Sequence, residues 1–262
     1  MSNIKLYGAI GYTILYNSNI FPDTEILLIA DMHDEYNKDC GNSNLLTIDV
    51  LLGQYLNNKY SIILEEIPLN KQMIELFPNS SHVKNVRKFY LENMDKVIAV
   101  DLRLELLDLT SLENSSIPIM IHLINLYEFF TIKSKLFDMP IVKSIYTKLL
   151  KVFLHINKKY KKEFKKSSKD INKLTLKNII SDFDDLLSSI LDFYCFVRIY
   201  DILSTKKQSK IVVYCGLAHI DEINKILTKK LNYNVKFKKG KTNIDDVSLF
   251  TMDNICIDLI KF

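Results

Sequence analysis

Four short stretches of this 262-residue chain end in side chains able to bind a cation or move a proton. The first runs Ile26-Leu-Leu-Ile-Ala30 and then offers Asp31, His33, Asp34 and Glu35, three acids and a histidine within five residues. Ser61-Ile-Ile-Leu64 leads to Glu65 and Glu66, Val97-Ile-Ala-Val100 to Asp101 and Arg103, and Ile211-Val-Val-Tyr214 to Cys215, Gly216 and His219. Imidazole and carboxylate together suit a divalent metal such as Zn²⁺ or Mn²⁺, so His33, His219 and Asp31 are the candidate ligands. Glu65, Glu66, Asp101 and Arg103 are the candidate catalytic groups. The same set also works without metal, a histidine or glutamate activating water as general base. Arg103 suits a substrate carboxylate or a developing oxyanion, or simply orients Asp101.

An apolar run that ends in polar groups is how a buried parallel strand reaches its carboxyl edge, where open α/β sheets place their ligands. Period-2 alternation puts Asp31 and His33 on one side of an extended chain, while Glu65 and Glu66 must diverge, so that one of the two faces a pocket. Gly216 allows a tight strand-to-helix turn that leaves His219 near a helix N-terminus. Each item also has a plainer explanation: strand-end hydrogen bonding for His33, an exposed turn for Glu65-Glu66, a salt bridge for Asp101 and Arg103, a helix cap for His219. Recurrence at successive strand ends is what favours a site.

The intervening elements are those of βαβ units. Residues 4–8 and 12–16 predict a hairpin around Gly8 and Gly11, and Leu45, Ile48, Leu51, Leu52 and Leu56 predict a helix over 44–57. Residues 70–93 predict helix in two pieces broken near Pro78. Pro118 and Pro140 open helices toward Phe130 and Lys158, and Ser181 to Leu203 is a third helical pattern. Helix 219–231 and closing strands Tyr233–Phe237 and Ile255–Ile260 complete the chain. The expectation is an α/β protein with a mostly parallel central sheet flanked by helices and a long helical insertion before the last core strands. It divides as 1–103 and 210–262 for the two parts of one composite α/β core, and 104–209 for the insertion or lid. Right-handed crossovers place the strand ends on one edge.

Hydrophobic content of 48% with only six Gly and five Pro excludes collagenous and disordered classes. Abundant Lys, Ile and Asn with no Trp is a bias of AT-rich genomes, large DNA viruses among them. Cys40, Cys195, Cys215 and Cys256 form no C-x-x-C pair and predict reduced thiols in a cytoplasmic protein. Cys215 is expected as a buried thiol rather than a nucleophile, and Cys40 as a candidate soft ligand. The first residues show no apolar run of signal-peptide type, and no uncharged run approaches the roughly 20 residues of a membrane span. The net charge of +4 is unevenly spread, with twelve lysines against Glu163 and Asp170 between Lys143 and Lys177. That run predicts a solvated helix end or mobile loop, with a polyanion contact through Lys158–Lys177 as the functional alternative. His82 is expected at a helix start as a surface or capping residue, and His122 and His155 as core or boundary residues.

Gly216-Leu-Ala-His219, Leu64-Glu65-Glu66 and Ala30-Asp31-Met32-His33 together resemble the motifs of the TraB/Tiki/ChaN/erythromycin-esterase-like superfamily. These are a late strand running into G-x-x-H, a second strand ending in a carboxylate, and an early G-E-x-H. Ala30 stands here for the Gly and Asp31 for the Glu of the early motif. The resemblance spans 25–103 and 210–231 and implies an α/β core with helical insertions and a site at the strand ends. Tiki-type members are metal-dependent proteases, erythromycin esterases hydrolyse a macrolactone, and ChaN-like members bind haem. Asp31-Met-His33 also resembles the D-x-H opening of calcineurin-like phosphoesterases, but G-D-x-x-D and G-N-H-E are missing and Leu217 stands where a histidine is needed. The expected function is therefore a hydrolase acting on a peptide or ester bond of a small-molecule or peptide substrate. The competing class is a non-catalytic binding or structural protein, such as a virion or host-interaction component.

Overall fold

A computed structural model describes residues 4–16, 18–33, 44–68, 80–132, 137, 139–205, 209–246 and 257–259. By its internal contacts the chain forms one unit from Met1–Ile67, Lys71–Asp101 and Arg198–Phe262, and a second from Pro68–Asn70 and Leu102–Val197.

The apolar runs become the centre of the first unit, a six-stranded sheet. Its order is β6 (Val97–Asp101), β5 (Ser61–Pro68), β7 (Lys210–Gly216), β3 (Glu25–Asp31), β2 (Gly11–Tyr16) and β8 (Asn234–Gly240). β5 and β3 pair in parallel with β7, and β2 is antiparallel to both β3 and β8. Ile26 to Asp31 and Ile211 to Gly216 are buried throughout, as strands covered on both faces must be. Register pairs Asp31 with Gly216 and Leu64 with Tyr214, so β3, β5 and β7 deliver their carboxyl ends to one edge.

Alternation sorts the side chains between the two faces. Leu27, Ile29, Ile62, Leu64, Val212 and Tyr214 share a core with Leu51 and Leu52 of α1 (Ile48–Asn57) and Val86 and Phe89 of α2 (Ser81–Glu92). α9 (Leu217–Leu231) packs on β3 and β7, directing Ile220, Ile223 and Leu227 inward. Fully burying one such aliphatic side chain is worth about 1.5–3 kcal/mol, so these stripes decide how the helices lie.

The sequence pattern misleads at the chain's beginning. β1 (Ile4–Tyr7) does not form a hairpin with β2. It leaves for a second, three-stranded sheet between β4 (Asn44–Thr47, parallel) and β9 (Ile257–Asp258, antiparallel). Residues 44–47 are accordingly strand rather than the first turn of α1, because Leu45 and Leu46 pair with Lys5 and Leu6. The expected closing strand near the C-terminus serves this small sheet, not the main one. Helix α9 begins at Leu217, two residues earlier than its pattern indicated, and the polar stretch after Phe237 continues β8 to Gly240. The first helical piece expected in 70–93, together with Asp34, Glu35, Cys40 and Cys256, lies outside the described residues.

The second unit is helical: α3 (Arg103–Leu106), α4 (Leu109–Asn114), α5 (Ile119–His122), α6 (Ile124–Ile132), α7 (Pro140–Lys159) and most of α8 (Lys173–Thr205), whose end belongs to the first unit. The helix expected from Pro118 is thus two, interrupted at Leu123. Proline at the first turn of α7 starts that helix where its missing N–H costs nothing. Aromatic rings fill the interior, with Phe130 stacked on Phe153 at 4.8 Å and the Tyr146 hydroxyl donating to the Phe130 carbonyl at 2.9 Å. The lysine-rich segment after α7 is no loose loop: Phe164 is buried, and the Ile119 N–H donates to the Lys166 carbonyl at 3.0 Å. His155, expected in or near the core, is exposed on α7.

β2 and β8 approach closely because two glycines face each other, Gly11 opposite Gly240. A Cβ on Gly11 would lie 1.9 Å from the Lys241 carbonyl oxygen, and Gly240 adopts φ +72°. We therefore expect Gly11→Ala to lower the free energy of unfolding by more than about 2 kcal/mol. Denaturant titration checks this, and a loss near zero would mean the strands do not approach so closely.

Candidate metal and proton-transfer site

Asp31, the last residue of β3, is fully buried, and its carboxylate accepts hydrogen bonds from Met32, His33, His82 and Tyr214. His33 Nδ1–H donates at 2.8 Å, the Tyr214 hydroxyl at 2.6 Å and the Met32 N–H at 2.7 Å, while His82 Nε2–H reaches both oxygens at 3.0 and 3.1 Å. Alternation explains the set. Asp31 follows Leu27 and Ile29 onto the face covered by α2, and Tyr214 follows Val212 onto the same face.

His33 turns its other nitrogen toward two carboxylates. Nε2 lies 3.5 Å from Glu66 Oε1 and 3.9 Å from Glu65 Oε2, beyond hydrogen-bonding range of either. Glu65, in the second half of β5, accepts the Gly216 N–H at 2.6 Å, and its Oε1 lies 3.2 Å from His219 Nε2. A Cβ on Gly216 would sit 3.0 Å from His33 Nε2, 3.4 Å from Glu65 Oε2 and 3.6 Å from His219 Cδ2. Glycine is thus what leaves room for the side chains of His33, Glu65 and His219 around one backbone position. His219 occupies the first turn of α9, whose positive N-terminal end favours the Glu65 anion.

Both glutamates face His33, against the expectation that an extended chain would send one away. Glu66 has φ +58°, which ends the period-2 alternation, and His33 has φ +61°. Left-handed backbone is unfavourable for residues with a Cβ, and it persists where surrounding contacts over-determine it. The contacts that hold it here are the Asp31–His33 bond and Arg87 Nε, which donates to the Glu66 carbonyl at 3.2 Å.

Among the described residues, the donor atoms of His33, Glu65 and Glu66 all gather within 4.8 Å. Ligand atoms each about 2.1 Å from one cation lie roughly 3.0–3.5 Å apart, so His33 Nε2 and Glu66 Oε1 already have a suitable spacing. Asp31 stands behind His33 rather than among these donors, in the position of the carboxylate that orients a metal-binding imidazole. His219 touches the group through Glu65. Asp101 is buried at the end of β6, beside β5, and falls outside the three. Arg103 belongs to α3 in the other unit.

His82 corrects the sequence reading. It is 1% exposed and bound to Asp31, not a surface cap. Its position four residues before Val86, on the stripe that continues to Phe89, was the legible signal. Tyr214 was missed as well, because a tyrosine inside an apolar strand reads as core until its hydroxyl has a partner. Cys215, expected as a buried thiol, is buried.

Burial opposes charge on both members of the central pair, and charge prevails. The bonds and fields of His33 and His82 hold the Asp31 carboxyl well below the usual carboxylate range. The Asp31 hydrogen bond and the fields of Asp31, Glu65 and Glu66 push His33 up to about 9. A cavity of about 730 Å³ lies elsewhere, at the amino-terminal ends of the strands beside Glu25, Tyr60 and Lys210, and takes no part in this chemistry.

Stability should follow these charges. His33 contributes fully below its unfolded value near 6.5, and that contribution is lost as pH rises through about 9. Asp31 contributes above its unfolded value near 3.8, and its contribution is lost only as the solution becomes strongly acidic. In chelator-treated protein, the midpoint of urea unfolding should fall between pH 7 and 10, and His33→Asn should flatten that slope. His82→Ala, which strips a buried donor from the Asp31 anion, should cost about 3 kcal/mol. Tyr214→Phe should cost about 2 kcal/mol by removing a hydrogen bond to a charged group.

Comparison with family models, curated proteins and solved structures finds no match to this chain.

Proposed function

We propose that the chain is a divalent-metal-dependent hydrolase of peptide or ester bonds, acting at the edge formed by β3, β5 and β7. The observation that carries this reading is the His33 imidazole. It is buttressed by Asp31 on one nitrogen and aims the other at Glu65 and Glu66 without a hydrogen bond to either. His33 Nε2, Glu65 and Glu66 are the groups that would hold the ion, and the mixed imidazole-carboxylate set fits Zn²⁺ or Mn²⁺. A divalent cation held there supplies Lewis acidity toward the scissile carbonyl. The protein's own part is positional and protonic. Asp31 fixes the His33 tautomer by accepting from Nδ1–H, with His82 and Tyr214 keeping that carboxylate in place. Glu65 Oε1 and His219 Nε2 form the proton-transfer pair, taking a proton from the attacking water and returning it to the leaving group. The motif resemblance to the TraB/Tiki/ChaN/erythromycin-esterase-like superfamily favours peptide and ester bonds among hydrolysable groups. Buried thiols outside any disulfide at Cys195 and Cys215 suit a reducing compartment, and we read the protein as cytoplasmic.

One observation favours a non-catalytic reading. Asp31, Glu65 and Glu66 are 0%, 1% and 5% exposed, as in a buried network that stabilises a binding module. Metal titration separates the two. Because His33 must lose a proton to act as a ligand, Zn²⁺ or Mn²⁺ affinity should rise about tenfold per pH unit up to about pH 9. His33→Ala should abolish binding and any hydrolysis of peptide or ester substrates. His219→Ala should retain most of the metal and lose at least about a hundredfold in rate. Protein that takes up neither ion at pH 9, or hydrolysis indifferent to both substitutions, would sink the reading.

A further inference from the structure

The lysine-rich segment plays no part in the chemistry above, yet the helical unit shapes it into a definite surface. On α7, Lys151, Leu154 and Lys158 recur at spacings of three and four and share one face. Lys161 and Lys165 continue that face into the turn around Phe164, and α5 is held alongside, where Ile119 bonds to the Lys166 carbonyl and Pro118 bridges to Ser167. A cavity of about 420 Å³ results, with Met120, Leu154 and Phe164 among its walls and Lys158, Lys161 and Lys165 around them. Met120 and Leu154 are about half exposed, at 49% and 52%. Ile117, three residues before Met120, is also about half exposed. Among the described residues, Lys158, Lys161 and Lys165 have no acidic partner, in contrast to Lys159, which is paired with Asp182 at 2.8 Å.

We propose that this face of the helical unit docks on membranes rich in anionic phospholipid, with headgroup phosphates at Lys158, Lys161 and Lys165 and the acyl boundary at Met120 and Leu154. Charge complementarity selects an anionic partner, because twelve lysines meet two acids between Lys143 and Lys177. The exposed aliphatic side chains among those lysines select lipid over nucleic acid. Nucleic-acid surfaces combine arginine forks with exposed aromatic platforms. Here the segment has no arginine, and its aromatic residues Tyr146, Phe153, Tyr160 and Phe164 are all buried. Lysine beside exposed aliphatic surface is the combination that binds a bilayer interface. No helix among the described residues is long and apolar enough to cross a membrane, so the contact is interfacial.

Sedimentation of the full chain with phosphatidylcholine vesicles, with and without phosphatidylserine, tests the proposal, with duplex DNA as a competing polyanion. We expect binding to the phosphatidylserine vesicles alone, weakening steeply with salt. Neutralising Lys158, Lys161 and Lys165 together by substitution with Gln should lower partitioning on the order of a hundredfold, from roughly fivefold per lysine. Met120→Asp with Leu154→Asp should lower it at least about tenfold at low salt as well, because the apolar contact is not screened. Thermal unfolding of each variant checks that it is folded, and the wild-type salt titration needs no variant. Equal binding to both vesicle types overturns the proposal, as does wild-type behaviour in both variants. DNA binding that ignores the Met120 and Leu154 substitutions, without vesicle binding, would reassign the surface to nucleic acid.

Discussion

The buried carboxylate of Asp31 is the interaction on which the rest of the site depends. A carboxylate without exposure to solvent is tolerable only when its lone pairs are met, and here Met32 just after β3, His82 on α2 and Tyr214 on β7 each send a donor. His33 supplies the fourth. Removing one donor therefore does more than delete a contact, since it leaves an ion in low dielectric. The same bonds that stabilise the ion hold the imidazole of His33 in one orientation. Stability and site geometry share one set of atoms.

Around that centre the backbone takes conformations it would not adopt on local preference. His33, two residues past the end of β3, and Glu66, inside β5, both lie at positive φ. The consequence at Glu66 is direct: the left-handed residue folds a second carboxylate back beside the first. The ion-pair distances of 3.5 and 3.9 Å from His33 Nε2 describe three groups brought together but not bonded to one another. Such an arrangement suits an added cation or a shared proton better than it suits a self-contained salt bridge.

The helical unit follows a different physical logic. Its interior is aromatic, with Phe130, Tyr146 and Phe153 packed together and Phe164 against Phe183. Turning the rings inward leaves lysines and aliphatic side chains for the surface. Local amphipathic packing thus sets the chemical character of that surface, without reference to the sheet and its carboxylates.

Much of this was legible in the residues themselves. Apolar runs closed by acids marked β3, β5 and β6 as core strands, and Gly216 before His219 marked a strand-to-helix turn, because burial on both faces of a sheet leaves a signature within a few residues. The gathering of Asp31, His33, Glu65 and His219 at the carboxyl-end edge of β3, β5 and β7 followed from the same runs. Elements whose partners lie far along the chain were not legible. Residues 44–47 follow a helical apolar spacing yet pair as strand with Ile4–Tyr7, and β1 turns away from its sequence neighbour to do so. His82 and Tyr214 looked like a cap and a core ring until folding brought them to Asp31, across separations of 51 and 183 residues. The chain alone thus determined which side chains sit at strand ends, since period and hydropathy are local. Only the tertiary structure decided which of them meet, because the backbone reversal at Glu66 and the convergence on Asp31 arise from contacts between distant segments.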